Sequence, residues 1–256
     1  NGPNDEVGQL AKTFNTMLEQ LEESYKKVSG ALEMQRDFLA DVSHELRTPL
    51  TTLRGNLGLL RHEPPISEDE ATDILNDMVD ETDRMIRLVN ELLEQARADS
   101  TKNMLLEPVN LKILLQDVVR QAKLLSEDRQ ISLDVPDDLS VMATKDALKQ
   151  VMLILVDNAI KHSQRDIVLE AQRVEDEVEI RVIDHGKGLS PEELTHVFER
   201  FYRADRLSGN GFGLGLSIAK GLVENMNGQI SMASEVGVGT TVLLRRKAAE
   251  REGEAT

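Results

Sequence analysis

The chain has 256 residues, 40% of them apolar and 30% charged, with aromatics at 3%, no tryptophan and no cysteine. That composition suits about two helix-rich domains with cores of Leu, Ile, Val, Met and Ala, and it excludes disulfides, thiolate catalysis and cysteine-type zinc sites. With 30 basic and 46 acidic residues the formal net charge is −16, which disfavours general binding to nucleic acid or anionic membrane, so any bound anion needs a locally built site.

The opening stretch, NGPNDEVGQLAKTF, has no initiator methionine and begins in helical register, which reads as a start inside a longer protein. Neither an apolar run long enough to span a bilayer nor a signal peptide is present in the sequence. Residues 7–62 carry two rows spaced by seven. One holds Val7, Phe14, Leu21, Val28 and Val42; the other holds Leu18, Tyr25, Leu32, Leu39, Leu46, Leu53 and Leu60. Two such stripes predict a long helix that associates with other helices. The prolines of HEPPIS (62–67) end it. Ser67 with Glu70 forms a capping box for a second helix to about Asp99, with Ile74, Met78, Met85, Val89, Leu92 and Ala96 inward. Two helices cannot bury all these stripes, whereas a dimeric, antiparallel four-helix bundle can.

Residues 100–110 read as a linker, after which the pattern becomes mixed. Helices are predicted at 110–125, 144–162 and 213–226, and strands at 131–135, 167–174, 177–184, 229–234 and 240–246. A glycine-rich, poorly periodic stretch fills 185–212, and the tail KAAEREGEAT has no apolar pattern and reads as disordered. The expected fold class is α+β multidomain: the bundle with its coiled-coil extension, followed by an α/β sandwich.

Four stretches carry candidate chemistry. In DVSHELRTPL, His44 lies off the apolar seam and should face water. The neighbouring Glu45 could take a ring proton while the other ring nitrogen attacks an electrophile. Thr48 follows one turn on, and Pro49 removes a backbone N–H, so a local bend is expected. Taken alone, such a His-Glu pair is more often an ordinary exposed histidine. In LVDNAIKHS, Asn158 offers an amide oxygen suited to Mg²⁺ and Lys161 a point charge for phosphate, though most such residues on helices are merely solvated. In VIDHGKGL, a strand ends at Asp184, which could accept a hydrogen bond from an amine, with Gly186 and Gly188 allowing close approach; a plain tight turn looks the same. In SGNGFGLGLSIAK, glycines lead into a helix whose N-terminus favours anions, but the stretch lacks the lysine of a P-loop and the context of a dinucleotide fold.

Together and in this order, the motifs resemble those of bacterial two-component sensor histidine kinases. FLADVSHELRTPL is similar to the phosphoacceptor box, LVDNAIKHS to the asparagine box and DHGKGL to the first glycine box. FERFYRAD is similar to the phenylalanine box, GFGLGLSIAK to the second glycine box, and GVGTT to the short glycine motif before the last strand. NDEVGQLAKTFNTML resembles the end of a HAMP signal-relay module, which normally follows a transmembrane helix.

The resemblance implies four segments: 1–25, the end of HAMP; 26–102, the dimerisation and phosphotransfer domain; 106–248, a Bergerat-type ATP-binding domain; and 249–256, a disordered tail. It implies that His44 attacks the γ-phosphate of ATP with Glu45 as base, and that Thr48 helps position water for dephosphorylating the partner. Asn158 would ligate Mg²⁺, Lys161 would meet phosphates, Asp184 would read the adenine amine, and Arg203 would meet the γ-phosphate. His162, Gly186, Gly188, Gly211, Gly213, Leu214, Gly215 and Thr240 complete the implied nucleotide set, with residues 203–212 as its lid and Arg200 adding charge. The implied partners are a second copy of the chain and a response regulator receiver domain, with no nucleic acid. The implied location is the cytoplasmic side of a protein anchored in the cell membrane through its N-terminal region.

Two departures stand out. Ile154 occupies a place where the family usually has a polar residue, and His162 one where tyrosine is frequent. Ile154 also argues against an alternative, an ATPase clamp of the chaperone or topoisomerase kind, which places a catalytic acid there. A purely scaffolding coiled coil would leave the glycine motifs without a purpose.

Overall fold

A computed structural model describes residues 6–62, 67–100, 105–125, 129–204 and 211–249. Expectations at Pro64 and Pro65, at Gly209 and the remainder of 205–210, at the linker residues 101–104 and at 250–256 lie outside the described residues, as do the side chains of Val7 and Ala96. The chain divides into two units, Asn1–Met85 and Ile86–Thr256.

The first unit is helical. α1 (Glu6–Leu60) runs unbroken through Pro49, and α2 (Glu68–Ser100) begins it and continues beyond it. The start of α2 is fixed by the foreseen capping box: the Glu70 N–H donates to Ser67 Oγ (3.3 Å) and the Ser67 N–H donates to Glu70 Oε2 (3.1 Å). Those bonds to Ser67 hold the Glu70 carboxyl below its ordinary range. Glu68, Asp69 and Glu70 also complement the positive end of the helix. The N-terminal part of the α1 seam is open within one chain, with Phe14, Leu21, Tyr25, Val28, Leu32 and Leu39 all exposed, whereas Val42, Leu46, Leu53 and Leu60 are half-buried. On α2 the inward row is Ile74, Met78, Met85, Leu88 and Leu92, not Val89. Spacings of four and three keep one helical face, which passes through Leu88 and leaves Val89 outside.

The second unit is a two-layer α/β sandwich. Its elements are β1 (Glu107–Asn110), α3 (Leu111–Leu125), β2 (Ile131–Asp134), β3 (Ser140–Ala143), α4 (Lys145–His162), β4 (Ile167–Val174) and β5 (Glu177–Asp184), then α5 (Pro191–His196), α6 (Gly215–Asn225), β6 (Gln229–Glu235) and β7 (Gly239–Lys247). The main sheet has the order β2-β4-β5-β7-β6, with β2 parallel to β4 and the other neighbours antiparallel. Strand alternation puts Leu169, Ile180, Val182, Val242 and Leu244 on the inner face, where they pack under α3, α4 and α6. Leu115, Leu148, Met152, Leu155, Ile218 and Leu222 of those helices close the core.

Several elements correct the sequence reading. β1 lies inside the stretch read as linker, where it pairs with β3, a strand the periodicity did not reveal. The β1 stretch, EPVN, holds a proline and a single buried apolar residue, Val109, too little to show alternation. α5 lies in the stretch read as irregular, although SPEE carries its start: Ser190 and Glu193 form a capping box and Pro191 follows the cap. The tail is also shorter than expected. Ala248 bridges to Val141, the Ala249 N–H donates to Ser140 O (3.0 Å), and both alanines are buried.

Arg246 ties the two sheets together. It lies on the inner face, 2% exposed, and Nη2 donates to Met142 O of β3. Its Nε is buried without a hydrogen-bond partner, and burial pulls its guanidinium below the ordinary arginine range. Arg246→Ala should therefore leave a cavity and an orphaned carbonyl, costing about 3 kcal/mol. Urea unfolding followed by the sheet's circular dichroism would show the midpoint falling.

Candidate functional site

The site is built on α4. Its buried side, Leu148, Val151, Met152, Leu155, Val156 and Ala159, faces the core. The remaining positions at helical spacing, Ile154, Asp157, Asn158 and Lys161, line a cavity of about 280 Å³ in the second unit. His162, the last residue of α4, lines it too.

Asp184 enters from the end of β5, only 9% exposed. Its Oδ1 accepts the Gly186 N–H at 2.8 Å, and the Thr240 N–H also donates to it. The antiparallel register sets Thr240 directly across from Asp184 and Ser234 beyond it, and the two hydroxyls lie 2.8 Å apart. Burial is the leading influence on Asp184 and outweighs those bonds, so its carboxyl is raised above the ordinary range. The turn after it demands glycine, because a Cβ at Gly186 would sit 2.3 Å from His162 O. Apolar walls of Leu189, Ile218 and Met232 complete this end. A carboxylate acceptor between such walls suits a flat ring that carries an amine.

The other end is polar. Gly211, Gly213 and Gly215 line the cavity where the chain enters α6. The first α6 bond runs from the Ile218 N–H to Leu214 O (2.9 Å), so the N–H groups before it have no helical carbonyl to reach and suit an anion. Gly213 has φ +75°, and a Cβ there would meet Tyr202 O at 2.4 Å. The Phe201 N–H donates to Gly213 O (3.0 Å), so the base of segment 203–212 is pinned. Lys161, Lys187 and Arg203 add positive charge around the cavity.

Of the residues proposed from sequence, Asn158, Lys161, His162, Asp184, Gly188, Arg203, Gly211, Gly213, Gly215 and Thr240 thus come together on one cavity. Gly186 and Leu214 stand behind its wall: Gly186 holds Asp184, and Leu214 caps α6 and is fully buried. Arg200 does not line the cavity either. Sequence reasoning missed Tyr202, Phe212 and Met232 as lining residues. The pairing of Met232 with Val242 would have placed it inward, had the register been known. The remaining candidates lie in the first unit. His44 and Thr48 are exposed on α1, and Glu45 is half-buried.

Comparison with known proteins gives three family matches. Residues 2–23 match the HAMP domain, residues 34–101 the His Kinase A (phospho-acceptor) domain, and residues 143–250 the histidine kinase-, DNA gyrase B- and HSP90-like ATPases. The signal transduction histidine-protein kinase ArlS of Staphylococcus aureus (strain USA300) is 34% identical over 248 residues, covering 93% of this chain and 52% of that protein. The chain therefore spans about half the length of the curated relatives it matches. Full-length ShkA, solved in complex with AMPPNP, is 27% identical with a TM-score of 0.59, covering 83% of this chain and 46% of that one. The Acinetobacter baumannii histidine kinase AdeS shares the fold, at 21% identity and a TM-score of 0.61, over 81% of this chain and 98% of that one.

Because Asp184 has a raised pKa, its charge opposes folding: this group's contribution to stability is fullest below the ordinary carboxylate range and falls as pH rises through the raised value. Asp184→Asn should accordingly melt higher than wild type at neutral pH, and the two should converge in acid. Thermal midpoints across a pH series would check this.

Proposed function

The chain belongs to the bacterial two-component sensor histidine kinases, and from that premise we propose that it phosphorylates His44 from ATP and passes the phosphoryl group to an aspartate of a response regulator. The observation that carries this reading is the convergence of Asn158, Lys161, Asp184 and the α6 N-terminus on one cavity. Asp184 accepts the adenine amine, Gly188 and Thr240 flank the base, and His162 borders it. Lys161, Arg203 and the backbone of Gly211, Gly213 and Gly215 meet the phosphates.

In the transfer, one ring nitrogen of His44 attacks the γ-phosphorus as the bond to the bridging oxygen breaks and ADP leaves. Glu45 takes the proton from the other ring nitrogen. Mg²⁺, when bound, neutralises charge on the β- and γ-phosphates. Asn158 carries the hard oxygen donor suited to it, and among the described residues no group of three His, Cys, Asp or Glu offers a rival metal site. Asn158 would hold the ion through its amide oxygen, and the ion would supply charge neutralisation there.

The exposed seam of α1 supports a homodimer, since a second copy would bury Phe14, Leu21, Val28, Leu32 and Leu39. No described helix is long and apolar enough to cross a membrane. The HAMP match at 2–23 supports a full-length protein anchored in the membrane, with this portion in the cytoplasm.

Incubation with radiolabelled ATP and Mg²⁺ should give acid-labile, base-stable label that is abolished in His44→Ala. ATP hydrolysis without label would contradict the kinase reading. Thr48→Ala should keep the label yet slow dephosphorylation of the phosphorylated regulator by about ten-fold or more. Its release of phosphate, timed after removal of ATP, reads this.

A further inference from the structure

Lys161, the cation on the cavity face of α4, is already engaged. Its Nζ lies 2.5 Å from Asp157 Oδ2, one turn earlier on the same helix, and both residues line the cavity. The two side chains are 37% and 41% exposed, so the pair is wet and weak enough to be exchanged. Lysine favours such an exchange, because its ammonium is a compact charge on a flexible stem with three rotatable donors. Nothing in the proposed transfer uses Asp157. Yet its carboxylate sits beside Asn158 and faces the region where the nucleotide's negative charge would collect.

We propose that Asp157 is an internal counter-ion that occupies Lys161 until the phosphates of ATP displace it, and that this exchange holds ATP affinity down. The inference rests on the nucleotide reading above. Asp157 acts through Lys161 and is a positioning residue. In the free protein it keeps the ammonium against α4, where the phosphates will arrive. Once Lys161 turns to phosphate, the carboxylate is left facing a polyanion and repels it. The opposition therefore grows with the number of phosphates. A different role, as an oxygen ligand of Mg²⁺, would make Asp157 favourable to binding only when the metal is present.

Calorimetric titration of the 256-residue chain separates these. Wild type, Asp157→Asn, Lys161→Met and the double variant are titrated with ATP in EDTA, with ATP in Mg²⁺, and with ADP and AMP. Asp157→Asn should bind ATP about five-fold more tightly with or without metal, with a smaller gain for ADP and little for AMP. The gain should shrink in the Lys161→Met background, where no ion pair is given up and only the direct repulsion remains, and it should shrink in high salt. A gain equal for ATP and AMP, or one undiminished without Lys161, overturns the counter-ion role. Weaker binding of ATP in Mg²⁺ alone also overturns it and makes Asp157 a metal ligand. If the folded wild type fails to bind ATP at all, the nucleotide reading falls and this inference with it. If wild type binds ATP and Asp157→Asn binds no more tightly, only the inference falls.

Discussion

A carboxylate taken almost wholly out of water has to be held by donors, and Asp184 is held by two backbone N–H groups, from Gly186 and Thr240. Each donor imposes a condition on the chain around it. The Thr240 bond requires the antiparallel register of β5 and β7, which sets residue 184 opposite 240. The Gly186 bond requires a turn so tight that its Cα lies against the carbonyl ending α4. Sheet, turn and helix end are thereby locked to one another, and the side chains on the cavity face of α4 inherit their positions. The cost of burying the charge, visible in its raised pKa, is the kind of strain expected where a site needs an acceptor already aimed.

The two ends of the cavity rest on different physics. The Asp184 end belongs to the sheet, where pairing on both sides of β7 fixes Asp184, Thr240 and Ser234 in a row. The other end belongs to a glycine-rich entry into α6, clasped at its base by the Phe201–Gly213 bond. A rigid carboxylate acceptor therefore sits beside backbone N–H groups whose strength depends on the charge brought to them. The first unit supplies the opposite condition: a helix with an accessible imidazole at His44 and an apolar seam open from Phe14 to Leu39 within one chain.

Much of this was legible in the sequence where periodicity ran long. The α1 stripes, the Ser67–Glu70 box and the hairpins β4–β5 and β6–β7 follow from spacing alone. Four-residue β1 and β3 are fixed by pairing with each other, which no local pattern announces. Ala248 and Ala249 read as tail because alanine marks neither a core nor a surface, and a cross-sheet bridge decided their burial. In the site, Asn158, Lys161 and Asp184 were visible because polar groups interrupt apolar patterns. Met232 and Phe212 were hidden because apolar residues lining a cavity look like those filling a core. The Asp157–Lys161 pair lies at ordinary helical spacing, and only the shared cavity gives it meaning.

The proposed transfer links the cavity of the second unit to His44 of the first through a single covalent product. Fragmentation mass spectrometry of the protein after incubation with ATP and Mg²⁺, kept at neutral to basic pH, tests that directly. The account predicts a phosphoryl group on His44, absent when Asp184 is replaced by asparagine at limiting ATP. A phosphoryl group on another residue, or none on a protein shown to bind ATP, would contradict it.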